Sequence, residues 1–282
     1  MNKTIKKTVQ VLDSEVYYEA YGEGTPFLII HGWGVDHNLM SGRMEPAFNK
    51  SGLQFQRIYI DLPGMGRSKA GASVKNSDDM LKVLLAFLDM ILQNQRFVLA
   101  GESYGGYLAR ALVQAQGEQI LGLMLLCPAI YPGYRKGNVV PHTVLERDEA
   151  FLNTLSEQDR TSFEFMQVVQ TQKVWQRYKS DIYDAVKANS ENYFLHHVLD
   201  GAFTYDIDKL QQPFSKPSLI LVGRQDTEVG YSDQFKLLKN YPRASFAALD
   251  KAGHNLQIEQ EELFAGLMSE WLERVQAEAG NR

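Results

Sequence analysis

Six short runs in this chain are apolar or nearly so along their whole length: residues 26–30, 56–60, 97–100, 121–127, 218–222 and 245–249. A strand with one face in water alternates polar and apolar residues. A run without that alternation is buried on both faces, as in a parallel sheet covered on both sides. Residues 5–21 differ, with β-branched and aromatic residues alternating around a turn at Asp13-Ser14, the pattern of a hairpin. Helical patterns fill the spaces between runs. Met80, Leu81, Leu84, Leu85, Leu88, Ile91 and Leu92 form one apolar stripe, entered through Asn76-Ser77-Asp78-Asp79, which reads as a cap. Residues 104–116, 231–240 and 257–277 are three further helix candidates. Strands alternating with helices at this spacing predict an α/β fold, a mostly parallel eight-stranded sheet flanked by helices.

One segment breaks the rhythm. From 131 to 212 no clear buried strand is legible, and helical pattern rich in aromatics takes over, including Tyr134, Phe163, Phe165, Trp175, Tyr178 and Tyr183. The reading is a core domain made of 1–130 and 213–282 with an inserted helical lid at 131–212. A length of 282 residues is enough for such an arrangement.

Composition removes several classes. A net charge of -5 argues against nucleic acid or an anionic membrane surface as partner, both of which want a basic face. The single cysteine, Cys127, leaves no internal disulfide and fits a reducing compartment; its apolar surroundings predict a buried, inert thiol. The N-terminus lacks a signal peptide's apolar stretch, and no apolar run approaches the roughly 20 residues that span a bilayer. A cytoplasmic protein is expected, with no membrane insertion and its oligomeric state open.

The chemistry centres on Gly101-Glu-Ser-Tyr-Gly105. This G-x-S-x-G pattern arises by chance about one time in ten in a chain this long, so context decides. Here a buried run ends at Ala100 and a helix pattern starts at Tyr104, which puts Ser103 on a strand-to-helix turn. That turn strains the central residue, and glycines on either side let the two segments approach without Cβ clashes. The hydroxyl then projects above the sheet beside free N–H groups of the helix end. A serine hydroxyl needs a base and the base an orienting acid. Both follow downstream, each just past a run: Asp226, with Glu228 as rival, and His254. The order Ser, Asp, His is one of those known for this constellation. Negative charge developing on a carbonyl oxygen also needs donors. The backbone N–H groups of Tyr104 and of Trp33, with Gly34 as the alternative to Trp33, are the candidates. Gly64-Met-Gly66 is no dinucleotide fingerprint, because Lys69 stands where the third glycine belongs. His196 and His197, being adjacent, point apart on a helix. No metal and no cofactor are expected.

With these motifs assembled, HGWG at 31–34, DLPGMGRS at 61–68, GESYGG at 101–106, GRQD at 223–226 and GHN at 253–255, the sequence resembles the α/β-hydrolase fold family in its lidded form. The resemblance implies a lid inserted after the sixth strand and a serine hydrolase acting on a small-molecule acyl substrate. A small to medium, mainly apolar carboxylic ester is the first expectation, cleaved through an acyl-serine. Dehalogenases and epoxide hydrolases of the family carry an aspartate where Ser103 stands. Carbon–carbon bond hydrolases share the triad and stay open, as does an aminopeptidase, though that branch usually carries a glycine- and proline-bearing loop where this chain has Trp33-Gly34. A receptor-like protein that binds ligand with slow or no turnover is the alternative outside enzymes.

Overall fold

A computed structural model describes residues 4–131 and 137–280. All six runs become strands of one eight-stranded sheet: β1 (Thr4–Val11), β2 (Ser14–Tyr21), β3 (Thr25–Ile30), β4 (Phe55–Ile60), β5 (Phe97–Glu102), β6 (Ile120–Leu126), β7 (Ser218–Gly223) and β8 (Ala244–Leu249). Their order is β1-β2-β4-β3-β5-β6-β7-β8. The hairpin β1–β2 is antiparallel, as is β2 on β4, and every other pairing is parallel. Four long helices cover the faces: α1 (Asn38–Ser51), α2 (Ser77–Leu92), α3 (Tyr104–Gln116) and α4 (Glu261–Gly280). The strand residues divide between two cores with period two. Leu28 and Ile30 pack with Leu84 and Phe87 of α2 and Leu108 of α3, whereas Phe27 and Ile29 pack with Met44 of α1 and Trp271 of α4. Both alternate sets are buried, and this explains why the inner runs show no alternation; the last run differs, since β8 lies at the edge of the sheet with only Leu249 buried.

Helix α2 starts where its cap was expected. The Asn76 side chain accepts the Asp79 N–H at 3.1 Å, and Asp78 and Asp79 in the first turn complement the helix dipole. Several elements depart from the sequence reading. Helix α1 was not anticipated, because Gly42 and Pro46 interrupt its stripe. Pro46 lacks the N–H that would bond the Gly42 carbonyl. That carbonyl instead accepts Arg43 Nε at 2.9 Å and Arg177 Nη2 at 2.8 Å. The candidate helix at 231–240 is a 3₁₀ segment, Asp233–Lys239, and the one at 257–277 breaks at Gln260 into Leu256–Glu259 and α4. A two-residue parallel pair, Glu146–Arg147 with Val169–Gln170, lies in the segment expected to lack strands.

The segment between β6 and β7 is the crossover between two parallel neighbours. It carries short helices, among them Glu157–Glu164, Gln172–Tyr178, Asp184–Asn189 and Tyr193–His197, with a π-helical turn at Lys179–Tyr183. Of its aromatics, Tyr134 lies outside the described residues. Phe163, Trp175, Tyr178 and Tyr183 pack on one another, with ring centroids 5.3 to 6.1 Å apart, and extend the core that α1 and α4 form on one face of the sheet. Side-chain donors tie it to the rest of the chain at glycine carbonyls. Besides Arg177 on Gly42, Asn189 Nδ2 reaches Gly34 O at 2.6 Å and Asn192 Nδ2 reaches Gly64 O at 2.8 Å. Among the described residues no helix is long and apolar enough to cross a membrane.

Candidate active site

Parallel strands deliver their carboxyl ends to one edge of the sheet, the usual place for a site in an α/β fold. Here β3 ends before His31-Gly32-Trp33, β5 before Ser103, β6 before Cys127, β7 before Asp226, and β8 before the loop to His254.

Ser103 sits at φ 51°, ψ -114°, a conformation L residues rarely adopt. Its N–H donates to Leu126 O at 2.9 Å, and its carbonyl accepts from Tyr107 N at 3.1 Å and Ala129 N at 3.0 Å, so the backbone is tied at both ends. The flanking glycines are needed for packing. A Cβ on Gly101 would overlap the Gly105 carbonyl, and one on Gly105 would overlap the carbonyls of Ile30 and His31.

The structure brings His254 and Asp226 together, with Nδ1 and Oδ2 2.8 Å apart. Asp226 is fully buried, and its other oxygen accepts the N–H groups of Glu228 at 2.8 Å and Val229 at 3.0 Å. Glu228, the rival acid, instead lines a cavity beside the site. The loops carrying Asp226 and His254 approach so closely that a Cβ on Gly223 would overlap the carbonyls of Ala252 and Gly253. Burial opposes the imidazolium, yet the charge and hydrogen bond of Asp226, with Cys127 and Glu102, hold His254 well above the ordinary histidine range.

The second ring nitrogen of His254 meets a residue that the sequence reading passed over. His254 Nε2 lies 3.2 Å from Oε1 of Glu102, the residue before the serine, and among the described residues no hydrogen bond joins Ser103 Oγ to the imidazole. Glu102 is 1% exposed. Burial raises its carboxyl to about 7 with help from the charge of Asp226, against the pull of His254 and of the Gly32 N–H. A second buried acid braces the histidine loop from behind. Glu259 accepts Gly253 N at 2.6 Å, Val168 N at 2.6 Å and Val169 N at 3.2 Å, joining that loop to the inserted segment. Burial raises it too, to about 7, in spite of those three donors.

Cys127 is buried, as expected, and burial pushes its thiol up to about 12. Its sulfur, a carboxylate oxygen of Asp226 and a ring nitrogen of His254 lie within 4.8 Å of one another. A metal would need the thiolate, which burial opposes, and an imidazole nitrogen already committed to Asp226. The Trp33 ring packs edge-on against Tyr104, centroids 5.1 Å apart, beside Gly32, which is itself tight against Ser103. Both expected donor residues therefore border the serine.

Two cavities meet here. The smaller, about 320 Å³, is walled by Val35, Leu39, Phe165, Ile182 and Val186; the larger, about 540 Å³, by Tyr104, Tyr107, Leu199, Asp200 and Glu228. Trp33, Ser103, Met166 and His254 belong to both. Of the four packed aromatics, Tyr178 alone reaches the smaller cavity, and the others stay in the buried core.

A family model described as alpha/beta hydrolase fold matches residues 25–261 of the sequence. The chain belongs to the α/β-hydrolase fold family. Within that family it is similar to pimeloyl-[acyl-carrier protein] methyl ester esterase of Legionella pneumophila (strain Corby), 26% identical over 258 residues that cover 91% of this chain and 99% of that one. It is also similar to AB hydrolase superfamily protein YisY of Bacillus subtilis (strain 168), 24% identical over 263 residues, covering 91% and 94%. Among solved structures, an alpha/beta superfamily hydrolase from Oenococcus oeni PSU-1 matches with a TM-score of 0.85 at 29% identity, covering 96% of this chain and 99% of that chain. Within this α/β-hydrolase, sequence reasoning named Ser103, Asp226, His254, Trp33 and Tyr104 and missed Glu102, Glu259 and Met166. Glu102 stood inside the quoted motif, where its side chain carried no periodic signal.

Proposed function

We propose that the protein is a serine hydrolase that cleaves a small to medium, mainly apolar carboxylic ester through an acyl-serine. The observation that carries this reading is the strained Ser103 at the junction of two cavities, beside a histidine held 2.8 Å from a buried aspartate. In this reading His254 takes the Ser103 proton as the hydroxyl attacks the carbonyl carbon. Asp226 keeps the imidazole in the required tautomer and stabilises its cation. The N–H groups of Tyr104 and Trp33 receive the oxyanion. The tetrahedral intermediate expels the alcohol, protonated by His254, and a water activated by the same histidine then frees the acid.

The two cavities suit the two arms of an ester, and their volumes fall within the range of small-molecule sites. The segment at 131–212 acts as the lid, since it supplies Phe165, Met166, Ile182 and Leu199 to their walls. The methyl ester named for the Legionella relative supports an ester over a carbon–carbon bond.

The test is a fluorophosphonate probe together with a panel of p-nitrophenyl esters from acetate to decanoate. Wild type should label at Ser103 and turn over repeatedly. Ser103→Ala should lose labelling and about 10⁴–10⁶-fold in kcat. Absence of labelling, or a single slow turnover on every ester, would overturn the reading in favour of a ligand-binding protein.

A further inference from the structure

We infer that Glu102 is a positioning residue for His254: its carboxyl group holds the Nε2 edge of the imidazole and sets the proton count at which that nitrogen becomes free to serve Ser103. The inference rests on the roles given to Ser103 and His254 above.

The imidazole is bracketed by two acids, Asp226 at 2.8 Å from Nδ1 and Glu102 at 3.2 Å from Nε2. Glu102 is placed by the fold. It is the last residue of β5, it lines the smaller cavity, and its second oxygen fills the space above Gly32 where any Cβ would overlap it. A carboxylate only accepts, and a neutral imidazole donates through one nitrogen. With Nδ1–H directed to Asp226, the edge facing Glu102 needs one more proton. Either an imidazolium Nε2–H donates to the Glu102 carboxylate, or a protonated Glu102 donates to Nε2. In both forms the nitrogen that must accept the serine proton is occupied. Removing one proton from the pair leaves the lone pair of Nε2 facing a carboxylate, which repels it, and the Ser103 hydroxyl becomes the available donor. The pair titrates as a unit.

The other groups bearing on this edge are common to wild type and variants. Asp226 reaches the imidazole from the β7 loop, Cys127 from the end of β6 with a thiol that stays protonated through neutral pH, and the Gly32 N–H reaches Glu102 from the β3 loop. Glu259 sits behind the histidine loop and Glu228 across the larger cavity. Replacing Glu102 alone therefore isolates its charge.

The experiment measures the rate of fluorophosphonate labelling of Ser103, and kcat/KM on a p-nitrophenyl ester, from pH 5 to 10 for wild type, Glu102→Gln and Glu102→Asp. The acid-limb midpoint should fall by about 1–3 units in the Gln variant, as expected on losing an opposite charge next to an imidazolium. Labelling below both midpoints should then be about 10-fold or more faster than wild type. The Asp variant, which keeps the charge one methylene further back, should lie between. A Gln midpoint within about 0.3 unit of wild type, with labelling retained, overturns the role of Glu102 and leaves the serine hydrolase standing. Wild type that fails to label at every pH overturns both. Imidazole ¹⁵N spectra of the wild type give a check that needs no variant. Both His254 ring nitrogens should be protonated or hydrogen-bonded at about pH 7, and a free, unprotonated Nε2 there, with a midpoint near the ordinary value, overturns the inference.

Discussion

At the scale of single residues, the site depends on atoms that are missing as much as on those present. Gly32 leaves the room that the Glu102 carboxyl occupies, and its would-be Cβ would also come within 3.1 Å of the Ser103 Cβ. Gly32→Ala should therefore displace both neighbours and reduce kcat/KM by about 10²-fold or more, as misplacing a reacting group does, which ester kinetics on the folded variant would record. Asp226→Asn should cost about 10⁴ in kcat, because an amide facing Nδ1 favours the wrong tautomer, with little loss of thermal stability; a fall below 10-fold would remove Asp226 from its proposed role. Ser103, Asp226 and His254 were legible because each stands a few residues past the end of a mainly apolar run. The contact between Glu102 and His254 was not, since it depends on how far the β8 loop reaches back across β7 and β6 to the end of β5, a distance no local pattern encodes.

Among elements, the same contrast holds for a physical reason. Buried strands announce themselves by composition alone, whereas α1 is stabilised by a stripe that includes Arg43 and tolerates Pro46 because Arg43 and the distant Arg177 both donate to the Gly42 carbonyl that the proline leaves free. The inserted segment is held by similar long-range ties. Arg43 and Arg177 both meet the buried Asp181, Arg43 also pairs with Glu261 of α4 at 2.6 Å, and Glu259 clamps Val168 and Val169 to the loop of His254. Glu259→Gln keeps the shape but turns an amide NH₂ toward one of those backbone donors. It should lower stability by about 1–3 kcal/mol, the cost of leaving a buried donor unsatisfied, and reduce kcat more than it raises KM. Thermal melts and ester kinetics check both; an unchanged kcat would mean that the clamp does not orient His254.

For the whole molecule, buried acids of two kinds shape the response to pH. Glu19 and Asp61 are both buried, and burial opposes their charge. For Glu19 the hydrogen bonds of Tyr17, Tyr21 and Lys6 win and hold it at about 2; for Asp61, His37 and its neighbours keep it below its ordinary value. Groups depressed in the folded state contribute stability above their unfolded values near 4.5 and 3.8; that of Glu19 is lost as pH falls toward about 2, and that of Asp61 as pH falls below its ordinary value. Glu102 and Glu259, raised to about 7, act in the opposite sense: their contribution is complete below about 4.5 and disappears as pH rises through 7. The melting temperature should therefore peak near pH 5, declining on both sides. Glu19→Gln should flatten the acid limb and Glu102→Gln the neutral one, as scanning calorimetry across pH would record. A maximum at pH 8 would contradict the assignment.

The ties at Gly34, Gly42 and Gly64 bear on how such a molecule diversifies. All three receivers are main-chain oxygens, which a change of side chain does not remove, and each donor belongs to the segment that shapes the cavities. The chemical half of the protein thus presents sockets that are indifferent to the identity of what plugs in, provided an amide or guanidinium arrives at the right place. On the proposed reading, substrate preference changes with residues 137–212, which supply Phe165, Met166, Ile182 and Leu199 to the cavity walls, while the serine and its partners stay untouched. A hybrid that keeps donors at 177, 189 and 192 inside an otherwise foreign segment is the natural starting point for an enzyme with new tastes.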